Sequence, residues 1–210
     1  MSNLFKSYSA RTDEQIREEV EKFRNCYPKA KQLPVPVVDI IEIDMQIEPV
    51  PIDYLFSQVG VIAFIKSDCT ELWTDKERYY SAGWEAVSRH DLAHEIGHVV
   101  LHRDILKDVR ISSKDSWMKV QGDNKDAIVK LEYQCDEFAG RLLVPRDILL
   151  GKIYVLRGLI RKMKKDIPAI EIDQIKSYIA MIIFKEFGIL DKIVYERIVK
   201  EKIFEELEIS

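Results

Sequence analysis

Leu92-Ala93-His94-Glu95-Ile96-Gly97-His98-Val99-Val100-Leu101-His102 is the stretch on which the reading of this chain turns. Leu92, Ile96, Val99 and Val100 recur at three-to-four spacing, so the segment is expected to be a helix burying one face. Residues four apart on a helix lie about 40° apart in projection, one turn above each other. The imidazoles of His94 and His98 can therefore reach a single ion. Glu95 projects about 100° from His94, close enough to touch a water on that ion without binding the ion itself. Two ligands and a general base are thus supplied by five residues, the arrangement of a helical His-Glu-x-x-His metal site.

A hydrolytic zinc site needs a third protein ligand and an open position. An extension of the motif on the same helix would need glycine at 101 and histidine at 104, where the chain has Leu101 and Asp104. That class is excluded, and the ligand is sought in a later helix. Glu132-Tyr133-Gln134-Cys135-Asp136-Glu137-Phe138-Ala139-Gly140 offers Glu132 and Asp136, four apart and on one face. Glu132 is the preferred ligand and Asp136 the alternative. With Glu132 on the ion, Asp136 can accept the free ring N–H of a ligating histidine and so hold its orientation. Glu137 reads as part of a solvated stripe. His102 reads as a helix-end histidine bonded to a backbone carbonyl, and His90 as a supporting or surface residue. Tyr79, Tyr80, Tyr133, His90 and His102 remain open as donors to a developing oxyanion. Gly97 is expected to let a neighbouring element approach the helix at the level of the metal.

Around this centre the pattern is a small β element followed by helices, an α+β layout. Thr12 and Gln15 mark the start of a helix running to Cys26. Pro34, Pro36, Pro49 and Pro51 bracket a short helix near Val38–Asp44 and an extended segment. Val59–Ile65 reads as a strand pairing with Thr70–Thr74 across Ser67-Asp68, with Trp73 on an edge strand, where it either flanks an added substrate strand or simply packs. Helices are expected near 84–103, 126–144, 146–165, 171–187 and 191–207, and the polar link from Asp104 to Lys125 as a lid or mobile loop.

The 210 residues are 47% hydrophobic and 32% charged, with 8 Gly and 7 Pro, which suits a globular fold and excludes disordered or collagenous classes. No run approaches the ~18 apolar residues of a membrane span. The first residues lack the apolar core of a signal peptide. Cys26, Cys69 and Cys135 form no close pair, so a cytoplasmic location is expected. The net charge of −4 gives no general attraction for nucleic acid. The cluster Arg157, Arg161, Lys162, Lys164 and Lys165 reads as a solvated helix end. Ile179–Phe204 has a helix-turn-helix outline around Gly188, but the acidic residues about it argue against binding phosphates, and a scaffold or partner-binding role is expected.

The run His94-Glu95-Ile96-Gly97-His98-x-x-x-His102, followed by Glu132-x-x-Cys135-Asp136-x-Phe138-Ala139-Gly140-x-Leu142-Leu143-Val144-Pro145, resembles the ImmA/IrrE family of zinc metallopeptidases. The second block makes the likeness specific. Cys135 stands where that family usually has alanine, and Gln134 where an acidic residue is frequent. The resemblance implies a zincin-like, thermolysin-like core over 1–146 with a C-terminal helical region over 147–210. It implies Zn2+ held by His94, His98 and Glu132, Glu95 as catalytic base and Asp136 as the supporting carboxylate. It also implies regulatory proteolysis of a protein substrate, such as a helix-turn-helix repressor or antitoxin. The competing expectations are a zinc-fold binding module with little proteolysis and a DNA-binding regulator.

Overall fold

The computed structural model describes residues 11–123 and 125–209, so the expectation for the first ten residues lies outside the described part. Helix α1 (Asp13–Cys26) opens with the reciprocal cap expected of its sequence, the Thr12 side chain accepting from Gln15 N–H and the Gln15 side chain from Thr12 N–H. Ile16, Val20 and Phe23 form its buried face. A short helix α2 (Val37–Asp39) runs into a π turn, Ile40–Asp44, and then into strand β1 (Glu48–Ile52). Helix α3 (Leu55–Val59), strands β2 (Ala63–Ile65) and β3 (Glu71–Asp75), and helix α4 (Lys76–Tyr80) follow.

The sheet order is β1-β3-β2, with β1 parallel and β2 antiparallel to β3. The strand carrying Trp73 is therefore central, which corrects the expectation that it lies at an edge. Residues 48–52, read only as extended, take the place beside it. Pro49 and Pro51 are accommodated because β1 is itself an edge, where a strand can lack an N–H on its outer side. The edge nearest the histidine helix is β2. Asp75 N–H donates to Ile62 O and Lys66 N–H to Glu71 O. By the alternation of a strand, Ala63 and Ile65 turn their backbone groups the opposite way.

Helix α5 (Glu85–Leu101) carries the motif and packs along α8 (Lys125–Leu143) in the most extensive helix pairing of the molecule. Gly97 makes that approach possible. A Cβ there would stand 3.1 Å from Cys135 Cα and 3.2 Å from its Cβ. Gly97→Val pushes the two helices apart and lowers stability by about 1–3 kcal/mol. Equilibrium urea unfolding checks this, and an unchanged midpoint rules out close packing as the reason for glycine.

The stretch expected to be a loop instead forms α6 (Arg103–Val109) and α7 (Lys114–Asp123). Leu106, Ile111, Trp117 and Val120 pack inward from this stretch, too sparsely spaced to show a helical stripe in sequence. Trp117 stacks on Phe64 of β2 with ring centroids 5.9 Å apart. Pro145 caps α9 (Arg146–Asp166), followed by α10 (Ile172–Phe187), α11 (Asp191–Lys200) and α12 (Ile203–Glu206). Gly188, at φ 64°, ends α10 in the left-handed conformation and turns the chain into α11. One apolar core joins Phe23 of α1, Leu92 and Ile96 of α5, Phe138 and Leu142 of α8, and Phe187 and Ile198 of the last helices. No helix among the described residues is long and apolar enough to cross a membrane.

Candidate metal centre

The α5–α8 pairing decides the geometry, because both helices present their chemistry at the crossing. Nε2 of His94 lies 2.9 Å from Oε2 of Glu132, and Nε2 of His98 lies 3.5 Å from Oε1 of the same carboxylate. Nδ1 of His94 is 2.8 Å from Oδ1 of Asp136. The four residues named from sequence come together, with Glu132 bridging the two rings and Asp136 behind one of them. Glu95 is 7% exposed, and its Oε2 accepts the Ile65 N–H of β2 at 2.8 Å. Sequence does not reveal that last bond, which depends on the sheet edge meeting α5.

The electrostatics couple the imidazoles to the carboxylates around them. Burial would lower the His94 pKa, but hydrogen bonds to Asp136 and Glu132 and the charge of Glu95 outweigh it and lift the ring to about 10. Burial would raise the Glu132 carboxyl, yet the bonds and charges of His94 and His98 hold it far below its ordinary range. Burial pushes Glu95 up, opposed by the two rings. In this arrangement His94 holds protons between carboxylates on both sides.

Two imidazole nitrogens and a carboxylate are a zinc donor set. With bonds of 2.0–2.2 Å in a tetrahedral arrangement, neighbouring donor atoms stand roughly 3.3 Å apart. The separations of 2.9 and 3.5 Å fall on either side of that value. The residues therefore fit the ion. His94, His98 and Cys135 also form a group whose candidate ligand atoms lie within 4.8 Å of one another. The thiol is the weaker third ligand. Burial and the surrounding carboxylates raise its pKa well above the ordinary value. Its Sγ lies 3.4 Å from His102 Nδ1, which faces His98 Nδ1, on the side of that ring away from Glu132.

His102 corrects its sequence reading. The ring is 2% exposed, with Nδ1 3.3 Å from His98 Nδ1, rather than a helix-end group on a backbone carbonyl. Burial, with the charges of His98 and Arg11, lowers its pKa to about 3. Glu137 is also misread as solvated. It is 2% exposed and ion-paired to Arg141, Arg197 and Lys200. Among the candidate oxyanion donors, Tyr79 donates to Glu42 and Tyr80 is 70% exposed. Tyr133 faces Asp13, and His90 sits by Asp91. None of these four lines the cleft that holds His94, Glu95 and Glu132.

That cleft has a volume of ≈ 370 Å³. One wall is polar, formed by Asp91, His94, Glu95, His98, Glu132 and Asp136. The other is apolar, with Phe64 of β2 facing Val109, Trp117 and Val120 of α6 and α7. A sheet edge, a helix with two histidines and a glutamate, and a carboxylate from a second helix thus meet on one cleft. Residues 85–172 match the family model Peptidase_M78, the IrrE N-terminal-like domain, and this segment is of the ImmA/IrrE family, as its motifs indicate. The match runs from the first residue of α5 to the first of α10. No curated protein and no solved structure gives a match to the chain.

Proposed function

We propose that this protein is a zinc-dependent endopeptidase with a zincin-like core, acting on a protein substrate. The observation that carries the reading is the placement of Glu132 across the Nε2 atoms of both motif histidines, with Glu95 on the same cleft. His94, His98 and Glu132 would hold the ion, and Asp136 would fix the His94 ring by accepting its Nδ1–H. When bound, zinc supplies Lewis acidity that acidifies water and polarises a peptide carbonyl. Glu95 accepts the proton of the attacking water at its carboxylate and passes it to the leaving amine. The Ile65 N–H holds Oε2 of Glu95 in place, leaving the other oxygen for that proton.

An extended substrate suits this cleft better than a folded surface. Ala63 and Ile65 turn backbone groups toward α5, so a peptide strand can lie along β2 and pass its carbonyls by Glu95. The apolar wall of Val109, Trp117 and Val120 then receives a large apolar side chain next to the cut. The family reading supports a regulatory target, such as a helix-turn-helix repressor or antitoxin, and a cytoplasmic setting.

The test has two parts. Purified wild-type protein binds one equivalent of zinc, and Glu132→Ala weakens binding at least about tenfold. Incubation of the zinc-loaded protein with host-cell proteins, followed by mapping of new N-termini, yields cuts that disappear with chelator. Stoichiometric zinc without any chelator-sensitive cut would overturn the peptidase, and failure to bind zinc would overturn the site.

A further inference from the structure

Given the zinc reading above, we propose that His102 is a positioning residue for the metal centre. It accepts the Nδ1–H of His98 and so holds that ring as the tautomer whose Nε2 lone pair faces Glu132. The two Nδ1 atoms stand 3.3 Å apart. Two N–H groups or two lone pairs facing each other at that distance repel, so one ring donates and the other accepts. Nε2 of His98 points at Glu132 Oε1. A ligating Nε2 carries no proton, which places the proton of the neutral ring on Nδ1. His98 is thereby the donor and His102 the acceptor.

The surroundings of His102 fit that assignment. Its own proton then resides on Nε2, and the nearby Gln134 side chain favours the protonated ring. The Gln134 amide nitrogen is committed to Lys130 O at 3.0 Å, while its Oε1 accepts Arg11 N–H at 3.2 Å. His102, the residue that caps α5 one turn beyond His98, thus stands behind that ring as its acceptor.

Charge explains why an imidazole stands where a carboxylate supports the other ring. Asp136 already backs His94, and Glu95 and Glu132 lie in the same pocket. A further buried carboxylate behind His98 would add like-charge repulsion, whereas a neutral ring orients His98 at no such cost. Cys135 Sγ, 3.4 Å from His102 Nδ1, is a weaker competitor for the same lone pair, because a thiol is a poor donor beside a ring N–H.

The test is the zinc dissociation constant, measured by chelator competition on wild type, His102→Leu, His102→Asn and Cys135→Ala. Urea unfolding of each zinc-free form reads folding separately. His102→Leu should bind zinc about 10–100-fold more weakly. His102→Asn, whose amide oxygen can accept near the Nδ1 position, should recover most of that loss, and Cys135→Ala should stay near wild type. The proposal falls if His102→Leu binds as wild type, if His102→Asn is equally weak at equal stability, or if Cys135→Ala reproduces the loss. Should His102→Leu not fold, long-range nitrogen–proton NMR of the zinc-loaded wild type decides. His98 protonated at Nδ1 with His102 protonated at Nε2 alone supports the proposal, and a proton on His98 Nε2 or on His102 Nδ1 overturns it. A wild type that binds no zinc removes the underlying site as well, a result distinct from normal wild-type binding with an indifferent His102 variant.

Discussion

Glu95→Gln lowers peptide cleavage by about 10²–10⁴-fold while leaving zinc bound. The side chain sits on the cleft beside both motif histidines, but it is not among the groups that bridge their Nε2 atoms. Its removal therefore takes away a proton acceptor and spares the ligand set. Glutamine is nearly isosteric and keeps an oxygen able to accept the Ile65 N–H, so the junction between β2 and α5 should survive. Metal content by mass spectrometry and cleavage of the mapped substrate, measured on the same preparation, read the two effects independently. Retained metal with lost cleavage identifies proton transfer as the missing step. The same variant separates catalysis from a binding role. A protein that acts only by docking a partner through a zinc-stabilised fold would keep its full biological effect, and that outcome would displace the peptidase reading.

The parts of this site visible in sequence are those governed by helical period. His94 and His98 share a face of α5, and Glu132 and Asp136 share a face of α8, because four residues return the chain to nearly the same direction. Which of the two carboxylates bridges the rings depends on the rise of α8 against α5, set by the Gly97–Cys135 contact. The sheet order was less accessible. Parallel pairing of β1 with β3 is non-local, and Pro49 and Pro51 disguise β1 as a loop. Helices α6 and α7 look like a polar connection in sequence because they turn few apolar side chains inward, among them buried Leu106 and half-buried Trp117 against the cleft. Burial of His102 was hidden for a different reason. It sits at the C-terminal end of α5, where histidine is ordinarily placed to meet free carbonyls. Here the end of α5 is covered instead, and Arg11 donates to the Leu101 carbonyl.

Arg197→Met destabilises the fold by about 3–5 kcal/mol at neutral pH, because it leaves buried carboxylates short of a partner. Arg197 pairs with Glu137 at 2.9 Å and with Glu201, which caps its own helix. Arg141 of α8 reaches the same two carboxylates, and Arg17 of α1 meets Glu201 at 2.9 Å. Gly140 makes room for this cluster, since a Cβ there would lie 3.1 Å from Arg197 Cδ. Glu137, Arg141, Arg197 and Glu201 are each less than one-tenth exposed, so water cannot replace a lost partner. The effect has a pH signature. Burial would raise the Glu137 carboxyl, but its hydrogen bond from Lys200 and the charges of Arg197 and Lys200 prevail and hold it below the ordinary value. A carboxylate whose folded pKa lies below its unfolded one stabilises above the unfolded value, about 4.3, and loses that contribution as pH falls through the folded value. The gap between wild type and Arg197→Met, measured by urea unfolding, should therefore be full at pH 7 and shrink below about pH 4 as Glu137 protonates. Adding Glu137→Gln to the variant should recover part of the loss at pH 7, because it removes one of the charges left without compensation. A gap that stays constant with pH, and does not respond to Glu137→Gln, would place the role of Arg197 in packing of its aliphatic stem against α8 rather than in charge.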